Sequence, residues 1–65
     1  MKQFIRYNNN RNRVFLIDCY NNYIKITTYR TGINNCLKLN SVKYFNKGSV
    51  INFNGDNPTL YSDNG

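Results

Sequence analysis

Apolar residues recur at every second position along most of this chain, and polar clusters rich in Asn interrupt them. Alternation with a period of two marks a strand that buries one face. It predicts strands at residues 3–7, 13–20, 23–31, 36–45 and 49–53, the fourth with a break in its pattern. Short connections of Asn and Gly between the runs suit tight turns and an antiparallel meander.

The connection Asn21-Asn22 supplies a register. A two-residue hairpin loop prefers residues that accept positive φ at both positions, and this one brings Tyr20 opposite Tyr23. Cys19 then faces Ile24, Asp18 faces Lys25, Ile17 faces Ile26, Leu16 faces Thr27, Phe15 faces Thr28 and Val14 faces Tyr29. One face gathers Phe15, Ile17, Cys19, Ile24 and Ile26. The other carries the opposite charges of Asp18 and Lys25 and the pair Tyr20 and Tyr23, both suited to cross-strand contact. A slip of one residue reverses every one of these assignments.

In the fourth segment Leu37 and Leu39 take one parity, whereas Val42 and Tyr44 take the other. An extra residue at Asn40-Ser41, as a β-bulge or bend, reconciles them and helps a small sheet curl toward a partly closed barrel. Asn46-Lys47-Gly48 turns the chain into the fifth strand, where Ile51 and Phe53 point inward. The expected fold is all-β, a small antiparallel meander of about five strands. Residues 1–53 form a single small β domain, and residues 54–65 read as a turn and a poorly ordered C-terminal tail.

Composition supports this class. Fourteen Asn, six Ile, six Tyr, five Lys and four Phe make up over half of the 65 residues, while Ala, Glu, His and Trp are absent. Two of the strongest helix formers are therefore missing, and the aromatic and β-branched residues fit a pleated surface. The favoured residues also share A- and T-rich codons, a bias found in compact genomes of phages, viruses and mobile elements. A chain this short buries only about 60% of its unfolded surface. Two cysteines, no histidine and three Asp cannot build a disulfide framework or a four-ligand zinc site. The expected support is self-association as a symmetric dimer, through a strand edge or an apolar face. Cys19 and Cys36 read as small apolar residues in a reducing compartment, the alternative being a disulfide within the chain or between subunits. The start lacks the apolar core of a signal peptide, and no run nears the ~20 residues of a membrane helix. The expected location is a cytoplasm, that of an infected host included.

Catalysis finds little support, because His and Glu are absent and the three Asp are scattered. No enzyme activity, cofactor or metal is expected. Charge carries the functional signal: residues 1–48 hold nine cations against Asp18, a balance of +8, and residues 49–65 hold two acids. A field of one sign over most of a small domain favours a polyanionic partner. The segment from Asn8 to Asn12 reads as a hairpin loop whose Arg11, with Arg13 at the strand entrance, projects from the same end of the sheet as Arg30. Tyr23, Lys25 and Tyr29 share one parity, so rings alternate with an ammonium as on sheets that bind single strands. The binding surface is therefore expected at Arg11, Arg13, Tyr23, Lys25, Tyr29 and Arg30. The expected partner is single-stranded nucleic acid, a nucleotide or a nucleoprotein. The alternative is a small inhibitor that binds a host defence protein.

Overall fold

The structure, a computed structural model, describes residues 2–61. Four strands, β1 (Lys2–Tyr7), β2 (Arg13–Cys19), β3 (Tyr23–Thr31) and β4 (Leu37–Asn46), form one antiparallel sheet in that order. Two short strands, β5 (Ile51–Asn52) and β6 (Thr59–Leu60), make a second antiparallel pair. The fold is the all-β meander that the alternation predicts. The large sheet stays open, with β1 and β4 as its two edges, so no barrel closes. Among the described residues the sole helical piece is a 3-10 turn at Ile33–Asn35, where Asn34 and Asn35 each take a φ of 61°. Asn enters this left-handed region more readily than most side chains.

The central hairpin has the predicted register, from Val14 opposite Tyr29 to Cys19 opposite Ile24. Its turn differs from expectation, since neither Asn21 nor Asn22 has a positive φ. The end is held instead by the Tyr20 N–H donating to the Tyr23 carbonyl at 2.9 Å, and by the two rings stacking at 4.8 Å and 20°. Side-chain pattern and loop length therefore select the register here, and a left-handed turn is not required. Asp18 lies opposite Lys25 but is not within ion-pair distance of it; Asp18 Oδ1 accepts a hydrogen bond from Gln3 Nε2 at 2.6 Å.

The bulge occurs where the parity conflict demands it. Thr28 pairs with Ser41 and Tyr29 with Leu39, which leaves Asn40 without a partner opposite. As a result Leu37 and Leu39 share a face with Val42 and Tyr44.

The sheet buries its other face beneath the C-terminal segment. The Phe53 ring meets that of Phe15 at 5.3 Å, and the Arg6 guanidinium lies over Phe53 at 5.1 Å. Asp56 Oδ2 approaches Arg13 Nη2 at 3.7 Å, and Asn57 Oδ1 accepts from Ser41 Oγ at 3.3 Å. Arg6, Arg13, Phe15 and Ser41 all belong to the parity of Ile26 and Thr28, so the segment covers this face around Phe15, while Phe4 near its β1 edge stays 52% exposed. Phe15, Ile26, Thr28 and Pro58 are fully buried there. Of the segment expected as a turn and poorly ordered tail, residues 54–57 bend as expected, and Thr59–Leu60 then pair with β5 as β6. Residues 62–65, which the same expectation includes, lie outside the described residues. Polar composition concealed this packing, because Asn57 and Asp56 hold the segment through polar contacts rather than through an apolar run.

Asn8 ties the first loop to this layer. It is 4% exposed; its Oδ1 accepts from the N–H groups of Asn12 and Arg13 at 3.0 and 3.1 Å. Its Nδ2 donates to Asn12 Oδ1 at 2.7 Å and to the Gly55 carbonyl at 3.1 Å. One asparagine in the biased composition therefore performs a defined task, closing the loop and docking the C-terminal turn.

Candidate anion-binding site

β-pairing sorts the cations by face. Lys2 and Arg6 on β1, Arg13 on β2, Arg30 on β3, and Lys38 and Lys43 on β4 all take the parity of the covered face. Lys25 alone among the strand cations takes the parity of the open face. The six residues expected to form one surface are accordingly divided. Tyr23, Lys25 and Tyr29 lie on the open face, whereas Arg13 and Arg30 lie on the other. Arg11, with a φ of 57°, folds its guanidinium over the Tyr7 ring at 4.7 Å and so sits at the corner of the open face.

Within the covered parity, register creates a row of like charge. Arg13 is directly opposite Arg30, and Arg30 is directly opposite Lys38. Neighbouring strands run about 4.8 Å apart, and like charges directly opposite one another are destabilising. Three cations on three adjacent strands thus oppose folding, and one carboxylate relieves them. That carboxylate, Asp56, is 60% exposed and 3.7 Å from Arg13, the one side-chain ion pair among the described residues. Arg13 Nη1 also donates to the Asn12 carbonyl at 3.1 Å, which aligns the guanidinium along the end of the sheet. Arg30 and Lys38 are exposed.

Lys38 was missed because its parity depends on the bulge. Taken through Asn40 as an extra residue, the sequence puts Lys38 beside Arg30, so the signal was present in the Leu37, Leu39, Val42 and Tyr44 pattern. Both guanidiniums can grip a phosphate with two parallel N–H donors, and the ammonium adds a point charge.

The open face has other chemistry. Tyr23 stacks on Tyr20 and meets Tyr44 at 5.9 Å with the rings tilted by 52°, giving an aromatic end. Toward the other end, β1 and β4 expose Ile5, Tyr7, Leu37, Leu39 and Val42. A separate open cleft of about 350 Å³ lies at the far end of the sheet, between Lys2, Lys47 and Cys19. Cys19 and Cys36 are both free thiols. Among the described residues no three His, Cys, Asp or Glu side chains converge on a metal position, and no helix is long and apolar enough to cross a membrane.

Compared with known proteins, the chain matches no family model, and no curated protein or solved structure shows significant similarity to it.

Proposed function

We propose that this is a non-catalytic binding protein for an anionic partner, a single nucleic-acid strand or a nucleoprotein that exposes one, in the cytoplasm of a phage- or virus-infected cell. The observation that carries the reading is the row Arg13, Arg30 and Lys38, in which register sets three cations side by side and, among the described residues, pairs only Arg13 with a carboxylate. An arrangement that opposes folding in the free chain becomes favourable once phosphates lie along it. Arg11, from the adjoining loop, extends the same end of the sheet.

This mode differs from ring stacking. Tyr23 and Tyr29 occupy the opposite parity from the row, so contact is made to the backbone of the strand and carries little sequence preference. Affinity falls linearly on a logarithmic salt scale, and each lost phosphate contact reduces the slope by about one.

The test is titration of labelled single-stranded DNA and RNA across a salt series with the wild type and the Arg30→Glu, Lys38→Glu variant. The double variant loses more than tenfold in affinity and flattens the salt slope, whereas Tyr29→Ala binds as the wild type does. Equal binding by the wild type and the double variant overturns the proposal. The second reading, an inhibitor of a host defence protein, is favoured by the exposed apolar side chains of the open face. A partner held there is insensitive to charge reversal at Arg30 and Lys38.

A further inference from the structure

We infer that the open face of the large sheet is the interface of a symmetric homodimer, in which two copies pack sheet against sheet and turn their cationic rows outward. Stable domains bury the apolar face of a sheet against another layer. In this chain the C-terminal segment supplies that layer on one side only. On the other side Ile5, Tyr7, Leu39 and Tyr44 remain 47–68% exposed, and Leu37 and Val42 continue the patch along β4. Large apolar side chains exposed along both edges of one face mark it as an interaction surface.

Charge identifies the occupant. A two-fold interface brings a patch against its own copy, so the patch must be self-complementary. Six of the seven strand cations take the other parity, and among the described residues the strands give the open face one ammonium, Lys25, and one carboxylate, Asp18, already engaged by Gln3, while the Arg11 guanidinium lies at its corner over Tyr7. Among the described residues it is therefore the broad surface of this +6 chain that meets its own copy with the least repulsion, because the strand cations are on the other side and Arg11 lies only at its corner. An acidic foreign partner is drawn instead to the row on the opposite side. Size agrees: the molecule is a plate with extents of 36 × 31 × 15 Å, and its broad side accommodates the ~800 Å² per partner of a standard interface.

Packing the two open faces gives a sandwich with the C-terminal segments outermost. Val14, flanked in register by Tyr7 and Tyr29, is already buried between them, which leaves the taller side chains around it to interdigitate. Aligned sheets cross at about 30° in such sandwiches. The inference is independent of the anion-binding reading, and its salt dependence has the opposite sign: screening weakens phosphate contacts but also weakens repulsion between two cationic copies.

Sedimentation equilibrium of the full chain over a concentration and salt series tests it. The wild type is dimeric at micromolar concentration, dissociates on dilution and is not weakened by added salt. Leu39→Lys puts a charge into the interface at a position that is 64% exposed in the monomer, so the fold survives, as circular dichroism verifies, while the dimer dissociation constant rises more than tenfold. Val42→Lys repeats the experiment on the adjacent row. Lys38→Glu, next to Leu39 but on the opposite parity, leaves the mass unchanged. A wild type that is monomeric at every concentration overturns the inference, as does a dimer that survives both lysine variants, which indicates pairing through a strand edge. Dimer loss in Lys38→Glu alone also overturns it. Nucleic-acid binding by Leu39→Lys at wild-type affinity keeps the two proposals separable.

Discussion

Arg13 and Arg30 stand directly opposite one another across β2 and β3, and of the two only Arg13 has a carboxylate nearby among the described residues, Asp56 at 3.7 Å. The domain therefore carries a like-charge pair that its own acidic residues half neutralise. Asp56 comes from the C-terminal segment, so the residue that relieves the row also helps to fasten the covering layer.

Asp56→Asn separates these two roles. Asp56 is 60% exposed and the pair is long at 3.7 Å; such pairs contribute less than about 1 kcal/mol, so urea denaturation shows only a small loss of stability. Titration with single-stranded nucleic acid shows tighter binding and a steeper salt slope, because Arg13 is released to contact phosphate. Weaker binding contradicts the assignment of Asp56 as a competitor for the row.

Asn8→Ala removes a buried amide that makes four hydrogen bonds to the loop and to Gly55. The expected loss is about 3 kcal/mol, since the N–H groups of Asn12 and Arg13 lose their acceptor as well. Asn8→Asp keeps the two accepted bonds and loses the donated ones, and its urea midpoint falls between those of Asn8→Ala and the wild type. Replacing the neighbouring exposed Asn9 or Asn10 by Ala changes the midpoint little.

Thr28→Val stabilises the protein. Thr28 is fully buried beneath the C-terminal segment, and its Oγ1 has no hydrogen-bond partner among the described residues. Exchanging that hydroxyl for a methyl group of similar size removes an uncompensated polar burial of about 1 kcal/mol or more. In a domain of this size the melting temperature rises by about 4 °C or more. A lower melting temperature indicates that the hydroxyl has a partner in solution.

Ending the chain after residue 53 abolishes cooperative unfolding. The shortened chain retains Phe53 but loses Gly55, Asp56, Asn57, Pro58 and β6, which hold the segment over Phe15, Ile26 and Thr28. Near-ultraviolet dichroism of the tyrosines and a denaturation curve detect the loss. A truncated chain that unfolds as sharply as the full one shows that residues 1–53 suffice.

Most of the sheet was legible because two independent signals agreed in it. In β2 and β3 the apolar parity, the length of the connection and the Tyr20–Tyr23 pair all require the same register. In β4 the conflict between Leu39 and Val42 located the bulge to the pair Asn40-Ser41, of which Asn40 is the extra residue. The C-terminal layer was not legible, since its docking groups, Gly55, Asp56 and Asn57, are the same residue types that mark a solvated turn. Their partners, Asn8, Arg13 and Ser41, are distant in sequence, and no local pattern connects them. The candidate site was legible at Arg13 and Arg30 but was merged with Tyr23, Lys25 and Tyr29, because sharing one end of a hairpin was taken as sharing one surface. Parity shows otherwise: an even step along β3 from Tyr23 reaches Tyr29, and an odd step reaches Arg30.

The bulge at Asn40 also governs how this chain tolerates changes in length. Because Asn40 is the residue without a partner opposite, its removal leaves all nine cross-strand partners of β4 in place and yields a plainly alternating strand. Losing Lys38 instead shifts Leu37 to the position opposite Arg30, turning it toward the cationic side and breaking the row. A deletion of one codon is thus nearly silent at Asn40 and disruptive two residues earlier. Related chains with one residue fewer at this point in β4 can keep both surfaces unchanged.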